Sequence, residues 1–502
     1  MGFALFVLVN AVLFIRPSEL VEGLDQANIY EVLILGALFA SVLPILQYVF
    51  EGKWLDRPIL PFVLGLVIVS PLSQVWRGDA LKAAEAGAEM FKVLIYLLIL
   101  LAQVNTRERL LWFCFWITVF SGVAIGLAVL DFNGVIEFRQ LDAMVDNRGD
   151  ELDRVTFKRL RGTGVFGDPN DFTVLMTFSV VLSFYWMIER SSLFLRLFGF
   201  GVLVLSLYAL VLTKSRGGVL AVFLGMLTLL QVRFGARAAI TLLLCVLPIG
   251  AIVFLTRVSG AEGDDTVQDR FQLWAQVFVF LRASPLFGIG WGSYAKEAGL
   301  AAHNSYVHCF GELGLVGGTL FFAAFLYSLW AMWHVAKQQQ HLAMRGLSVR
   351  GSHSQPLESW NAGQSGYQSS RPPRLSGNHL VGGDLHGHPG AIANPRQPGN
   401  PRSGPATFLA QSSANFILQR LNPYVMGALA GYMGIIMSLS RSYVVPTYMI
   451  LGLVGVYQEI STKSTTIKPL RLQGRVIQVL LVVTVGFLLL LNLALRILVR
   501  YG

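Results

Sequence analysis

Polar groups that could do chemistry open one of the most apolar stretches of the sequence. Residues 303–318 read HNSYVHCFGELGLVGG, and the i, i+4, i+8 spacing of Asn304, His308 and Glu312 predicts a polar stripe along the start of a helix. Buried polar groups cost free energy unless they are partnered, and histidine titrates near neutral pH. His303, just ahead of the helix, is therefore the candidate acid–base group, with Asn304 as a candidate substrate contact. His308 and Glu312 are expected to orient the helix or to tune His303.

Basic residues at a helix junction could bind an anion. Ser215-Arg216-Gly217-Gly218 joins two apolar runs, and Lys214 precedes it. An arginine at the bilayer centre costs on the order of 3 kcal/mol, so we expect Lys214 and Arg216 at the membrane rim or beside a wet cavity. The two glycines would let another backbone or a ligand approach closely. A snorkelling arginine at a helix end is the alternative interpretation.

A second arginine lies in a predicted amphipathic helix. Apolar residues recur at i, i+4, i+7, i+11 and i+14, which is one face of a helix; they are Val267, Phe271, Trp274, Phe278 and Leu281. Such a helix would lie on the membrane surface and hold Arg270 at the headgroup level, with Trp274 one turn away. Arg270 and Trp274 are thus candidate ligand contacts, and a solvated surface arginine is the alternative.

The stretch RLRGTGVFGDPNDF, residues 159–172, combines arginines with aspartates. Arg159 and Arg161 are possible phosphate contacts. Aspartates could indicate a divalent metal. However, Asp168 as N-cap, Pro169 at the first helical position and Asp171 in the first turn also describe an ordinary helix start, which is the interpretation we favour.

Membrane helices are the elements that must position these residues. The chain has 502 residues, of which 54% are hydrophobic and 14% charged, and its mean hydropathy is +0.59. Since a crossing takes about 20 helical residues, the sequence predicts about thirteen crossings, within a range of about twelve to fourteen. They lie at roughly 2–15, 29–50, 59–77, 88–104, 110–131, 172–189, 193–213, 217–232, 238–255, 306–335, 416–439, 443–459 and 474–498.

Basic residues fall in alternate loops, which orients the bundle by the positive-inside rule. Residues 338–412 are rich in Gly, Pro, Ser, Asn and His, so we expect a disordered cytoplasmic insertion. It separates an N-terminal membrane bundle, 1–337, from C-terminal transmembrane helices, 413–502. Loops 132–171 and 256–305 then share the outer compartment, where arginines need a reason such as binding an anionic ligand.

Other classes of function are not indicated. The formal net charge of +10 is explained by the loop arginines and lysines of a membrane protein rather than by nucleic-acid binding. Three cysteines without C-x-x-C spacing predict neither a disulfide framework nor a zinc site. We therefore expect no metal and no cofactor.

Three motifs occur in series along the chain. They are SRGG at 215–218, DRFQLW and SPLFGIGWG within 269–292, and HNSYVHCFGELGLVGG at 303–318. In order and spacing they resemble the O-antigen ligase and O-antigen polymerase superfamily of bacterial envelope glycan enzymes. GDPNDF looks like the subset described as O-antigen ligase family or exosortase-associated O-glycosylation ligase. The resemblance covers about residues 160–320, and the insertion at 338–412 departs from it.

The resemblance implies an all-α polytopic membrane protein whose extracytoplasmic active-site loop faces the periplasm from the bacterial inner membrane. It implies inverting transfer of a glycan from undecaprenyl diphosphate to an acceptor hydroxyl. It identifies Arg216 and Arg270 as diphosphate-binding catalytic residues and His303 as the catalytic histidine, with no metal required. The implied partners are the lipid-linked glycan donor, an acceptor that is a glycan, a lipid or a protein, and membrane lipids.

Two alternatives remain at this point. A polymerase of O-antigen or exopolysaccharide uses the same motifs and chemistry with a growing chain as acceptor. A transporter of lipid-linked glycan would instead bind the anionic headgroup along an alternating-access pathway. Charged residues buried mid-helix on both sides of the bilayer would favour transport.

Overall fold

The computed structural model is an all-α polytopic membrane protein. It describes residues 1–21, 23–24, 28–52, 56–57, 59–138, 141, 143–148, 155–245, 264–352, 405–464 and 467–499. Its first helices are α1 (Gly2–Ile15), α2 (Pro17–Leu20), α3 (Ile29–Phe39), α4 (Val42–Phe50), α5 (Ile59–Trp76), α6 (Ala80–Gln103) and α7 (Arg107–Phe132). The middle of the chain forms α8 (Pro169–Ile188), α9 (Leu193–Thr213), α10 (Arg216–Phe234), α11 (Ala236–Cys245), α12 (Asp264–Ala283) and α13 (Tyr294–Ala298). The last helices are α14 (Ser305–Ser352), α15 (Pro405–Ile435), α16 (Val445–Ser464) and α17 (Gly474–Leu498).

In the described part of the chain, fewer helices are long and apolar enough to span a membrane than the sequence predicts. Within the described ranges, 8 helices are long and apolar enough, and α3 with α4, bent by 58°, make a possible ninth. Helices α6, α15 and α16 are not among these apolar helices. They correspond to the predicted crossings at 88–104, 416–439 and 443–459. Only the start of the predicted crossing 238–255 lies in the described residues, as α11.

Helix α8 lies at the centre of the bundle. It is buried along most of its length and packs against α7, α9, α10 and α15. Helices α10 and α15 approach each other closely because glycines face each other: a Cβ at Gly225 would lie 2.9 Å from Gly427 O, and one at Gly427 2.8 Å from Gly225 O. A buried, tightly packed helix is a rigid support for groups at its ends.

The predicted loop 132–171 contains a hairpin that the sequence did not suggest. Strands β1 (Met144–Arg148) and β2 (Val155–Arg159) pair antiparallel, with Met144 opposite Arg159 and Arg148 opposite Val155. Directly after β2, Leu160 N donates to Leu212 O at 3.1 Å, which ties the hairpin to the end of α9.

The predicted amphipathic helix is present as α12, but its buried face differs from the predicted one. The most buried residues are Leu273 and Val277, whereas Trp274 and Phe278 are only partly buried. The face is set by packing against α14 and α17, which a periodicity count along one helix does not include.

Helix α14 is broken where it enters the bundle. Gly314 has φ 65° and ψ −161°, a conformation that is essentially restricted to glycine. The backbone groups around the break are hydrogen-bonded to the loop between α12 and α13: Ile289 N to Gly311 O, Gly290 N to Glu312 O, Leu315 N to Pro285 O and Val316 N to Leu286 O, at 2.8–3.3 Å. Irregular backbone at membrane depth is tolerated when protein groups satisfy it in this way.

The helices flanking the predicted insertion extend into it. Helix α14 continues to Ser352 and α15 begins at Pro405, so the described parts of segment 338–412 are helical. The division at 337 and 413 stays a prediction. The expected disorder falls on 353–404, outside the described residues, and stays a prediction.

We expect Gly314→Ala to lower the stability of the folded protein by about 1–3 kcal/mol through its backbone conformation alone. The added Cβ would also overlap the backbone of Leu286. Gly126→Ala in α7 is the matched control, because its Cβ would meet only Leu205 Cδ2 at 3.7 Å. Thermal unfolding in detergent should show a lower melting temperature for Gly314→Ala and an unchanged one for Gly126→Ala. Equal melting temperatures for the two variants would contradict this role of the break.

Candidate functional site

Several helix termini meet at one end of the bundle, the end at which α8, α10 and α14 begin, which we call the site end. Hydrogen bonds join these termini across large sequence separations. Ser215 Oγ, at the start of α10, donates to Asn170 Oδ1 in the first turn of α8 at 2.8 Å. Ser305 N, at the start of α14, donates to Ile436 O after α15 at 2.8 Å. The predicted site residues on these helices are thereby brought to the same region.

His303 lies in the loop that leads into α14. Its backbone is in the left-handed region, with φ 50°. The preceding residue is held because Trp274 Nε1 donates to Ala302 O at 2.7 Å. The following residue, Asn304, is 2% exposed and caps α14, with its Oδ1 accepting from Tyr306 N at 3.1 Å and Val307 N at 3.2 Å. The contacts of Trp274 and Asn304 in this structure position His303, and their predicted substrate contacts stay predictions.

Burial and neighbouring charges shift the pKa of the His303 imidazole. Burial lowers the pKa of His303 below its ordinary 6.5, and the positive charge of Arg270 lowers that pKa further. The carboxylate of Asp168 acts in the opposite direction. Burial also lowers the pKa of Arg270. Arg270 lies one turn before Trp274, whose bond to Ala302 brings this part of α12 to the His303 loop. Burial and the charge of Arg270 therefore favour the neutral imidazole.

Arg216 is the first residue of α10 and is exposed at the site end. The glycines that follow it allow close packing: a Cβ at Gly217 would collide with Ser438 Oγ, and one at Gly218 with the side chain of Thr173. Ser438 belongs to the loop between α15 and α16, which also holds the start of α14. Arg216 and the His303 loop are thus supported by the same connecting loop.

The other basic residues singled out in the sequence surround this junction. Lys214 ends α9 with φ 51°, and its Nζ lies 4.4 Å from the centroid of the Phe157 ring. Arg159 Nε donates to Thr213 O at 3.0 Å, and its Nη2 donates to Asn170 Oδ1 at 3.2 Å. Arg159 is thus a tether for the α9–α10 corner.

Arg161 follows β2 by two residues and is only partly exposed. The predicted phosphate contacts of Arg159 and Arg161 stay predictions.

The aspartates of GDPND form the helix start that the sequence favoured. Asp168 is the N-cap of α8, and its side chain accepts from Asn170 N at 2.7 Å. Asp171 is 4% exposed and forms a bidentate ion pair with Arg441, whose Nε lies 2.7 Å from Asp171 Oδ1. Among the described residues, no group of three or more His, Cys, Asp and Glu has the arrangement of a metal site.

Arg441 is a site residue that our sequence analysis missed. It lies in the short loop between α15 and α16, and its N donates to Ser305 Oγ at 2.9 Å. The ion pair with Asp171 raises the pKa of Arg441, so its charge is permanent. An arginine between two predicted crossings on the arginine-bearing side was the available signal.

Arg16 is a second missed residue. It has φ 51°, its side chain packs against Gly164, and its partner Glu19 accepts from Gly164 N at 2.8 Å. Arg16, Lys214 and His303 are the three non-glycine residues with positive φ in the described part of the chain. All three lie at the site end: Arg16 and Lys214 are the left-handed C-caps of α1 and α9, and His303 lies in the loop before α14.

Below the His303 loop, the polar stripe of α14 is buried and partnered. His308 Nε2 lies 3.3 Å from Glu312 Oε1, and Tyr294 N donates to the same oxygen at 2.9 Å. The rings of Tyr294 and His308 stack at 5.2 Å. Glu312 is 1% exposed. These contacts tie α13 to α14, which suits the supporting roles expected of His308 and Glu312.

One family model matches this part of the chain. It is described as O-antigen ligase and covers residues 201–322, from within α9 into α14. No curated protein matches the chain. The matched segment includes Arg216, Arg270 and His303, whereas Asp171 precedes it and Arg441 follows it.

The charges around His303 predict how its pKa responds to substitution. In protein with isotope-labelled histidines, assigned with His303→Gln, the imidazole should titrate below 6.5. Arg270→Gln should raise this pKa because it removes a positive charge, and Asp168→Asn should lower it further. Arg196→Gln, on an exposed residue at the opposite end of α9, is the control and should leave it unchanged. NMR titration measures these pKa values. If Arg270→Gln and Asp168→Asn shifted the pKa of His303 in the same direction, the arrangement would be contradicted.

Proposed function

We propose that this chain, a member of the O-antigen ligase superfamily, is an inverting glycosyltransferase. It transfers a glycan from undecaprenyl diphosphate to an acceptor hydroxyl at the periplasmic face of the bacterial inner membrane. The observation that carries the proposal is the gathering of Arg216, Arg270 and His303 at one end of the helical bundle. A metal ion is not required in this proposal, since guanidinium groups supply the positive charge.

The arginines serve the leaving group. Cleaving the bond between the anomeric carbon and the diphosphate leaves two to three negative charges on the lipid diphosphate, and each guanidinium can donate two parallel, charge-assisted hydrogen bonds. Arg270 is partly desolvated, which strengthens its attraction for an anion. Arg216 is exposed and approaches from α10. We assign both to the diphosphate.

His303 serves the acceptor. The acceptor oxygen attacks the anomeric carbon from the face opposite the diphosphate, its proton passes to the neutral imidazole, and the bonding electrons leave with the diphosphate. Burial and Arg270 lower the pKa of His303, so the imidazole is unprotonated at neutral pH. Attack from the opposite face inverts the anomeric configuration.

Charged residues buried on both sides of the bilayer would have favoured transport, so the opposite end of the bundle is relevant. The side chains of Glu189 and Glu459 are buried there, but Glu189 is the C-cap of α8 and Glu459 lies in the last two turns of α16. Each is ion-paired with arginine, at 2.8 Å to Arg233 and 3.0 Å to Arg57. Paired charges at helix ends support an enzyme with one site rather than a charged pathway through the bilayer.

We expect His303→Ala to lower the transfer rate by about 10²–10⁴-fold, because the general base is lost. Arg216→Ala and Arg270→Ala should each lower it by about 10²–10³-fold, because a donor to the developing negative charge is lost. The assay uses purified protein, a lipid-diphosphate glycan and candidate acceptors, and Arg196→Ala is the control arginine. Turnover of His303→Ala at the wild-type rate would exclude the mechanism. Elongation of the donor glycan itself, in place of transfer to another acceptor, would identify a polymerase.

The acid limb of the pH profile should lie below 6.5 for the wild type. A base acts only when unprotonated, so activity falls as the pH drops through the pKa of His303, which burial and Arg270 hold below its ordinary value. Asp168→Asn should move the limb to still lower pH. We would measure kcat/KM at constant ionic strength from about pH 4 to 8, a range that brackets the ordinary histidine pKa of about 6.5. An acid limb above 6.5 would contradict the assignment of His303.

A further inference from the structure

The first turn of α8 contacts both parts of the site. Asp168 is the N-cap, Pro169 is the first helical residue, and the next two side chains, Asn170 and Asp171, extend to different elements. Because α8 is the most buried of the described helices that can span a membrane, these two side chains project from a rigid support.

Asn170 holds the corner that carries Arg216. Its Oδ1 accepts from Ser215 Oγ at 2.8 Å and from Arg159 Nη2 at 3.2 Å. Ser215 Oγ in turn accepts from Gly218 N at 3.2 Å and so caps α10. Arg159 Nε donates to Thr213 O on the other side of the corner. A single amide oxygen therefore fixes the direction in which α10 begins.

Asp171 holds the loop that fixes the start of α14. Its carboxylate binds Arg441, and the loop around Arg441 makes four hydrogen bonds to Ser305. They are Ser305 N to Ile436 O at 2.8 Å, Ser305 Oγ to Leu439 O at 2.6 Å, Arg441 N to Ser305 Oγ at 2.9 Å and Ser442 Oγ to Ser305 O at 2.9 Å. Ser305 is fully buried and lies two residues after His303. The position of His303 thus depends on the Asp171–Arg441 pair.

We propose that Asn170 and Asp171 are positioning residues that set the separation between Arg216 and His303. The proposal rests on the proposed function, in which Arg216 binds the diphosphate and His303 is the general base. The two side chains are adjacent in sequence, and their partners are 45 and 270 residues away. One helix turn therefore couples the two sides of the reaction, and a misplacement of about 1 Å can cost about 10²-fold in rate.

The first experiment is a double-mutant cycle on Asp171 and Arg441 in purified full-length protein. Asp171→Asn and Arg441→Gln should each lower kcat by about 10²-fold with little change in KM, because substrate binding residues remain. The double variant should be no slower than the slower single variant, since the two residues act as one unit. Additive losses, or an increase in KM without loss of kcat, would overturn the proposal.

The control is Glu189→Gln at the other end of the same helix. Glu189 is a buried carboxylate that Arg233 and Arg420 contact at 2.8 and 3.1 Å. This variant removes a comparable ion pair, so it should reduce stability while kcat of the folded protein is unchanged. A loss of kcat equal to that of Asp171→Asn would show a general stability effect and would overturn the proposal.

Asn170 provides a conservative rescue. Asn170→Asp keeps an acceptor oxygen for Ser215 and Arg159, whereas Asn170→Ala removes it. We expect Asn170→Ala to lose about 10-fold or more in kcat and Asn170→Asp to stay within about 3-fold of the wild type, since the hydrogen-bond acceptor is what matters. Equal kcat in the two variants would overturn the role of the amide oxygen.

A distance measurement separates this proposal from the proposed function. Spin labels on Leu220→Cys in α10 and Leu300→Cys before His303, both exposed positions, are introduced with Cys245→Ser as background. The wild type should give one narrow distance distribution, and Asp171→Asn and Asn170→Ala should broaden or shift it, whereas Glu189→Gln should not. If no glycan transfer occurs in the wild type, the proposed function fails while the distances still decide the positioning role. Unchanged distances in both α8 variants would overturn that role.

Discussion

Backbone groups that leave a membrane helix must find new partners, and this constraint governs the whole site. Gly314 interrupts α14, and the loop after α12 supplies the missing donors and acceptors. The same loop leads through α13 to His303. His303 lies in an irregular segment, but this segment is held to the membrane bundle on both sides. The contacts at the α14 break hold one side, and the capped start of α14 holds the other.

The charges at the site end are of two kinds. Arg441 is matched by the buried carboxylate of Asp171, so its charge is used within the fold. Arg270 instead is partly desolvated and lowers the pKa of His303, and desolvating its charge costs free energy. An anionic ligand would lower the cost of keeping Arg270 and His303 together. The opposing charge of Asp168 limits how far the basicity of His303 falls.

Local features of the site were predictable from neighbouring residues. The N-cap at Asp168 with Pro169 after it follows from rules that involve only a few consecutive residues, and the structure confirms it. Arg159 could be recognised as a basic residue near the site, but its hydrogen bonds to Thr213 and Asn170 depend on folding. The hairpin before it was missed because five-residue strands carry little periodicity.

The sequence by itself determined that the chain is a helical membrane protein and that arginines and a histidine lie at helix junctions, because hydropathy and capping are local properties. Only the tertiary structure decided that Asp171 pairs with Arg441 and that the α14 break is satisfied by the 285–290 loop. These contacts join residues up to 270 positions apart, and no local pattern specifies which distant group completes a buried charge or an open backbone.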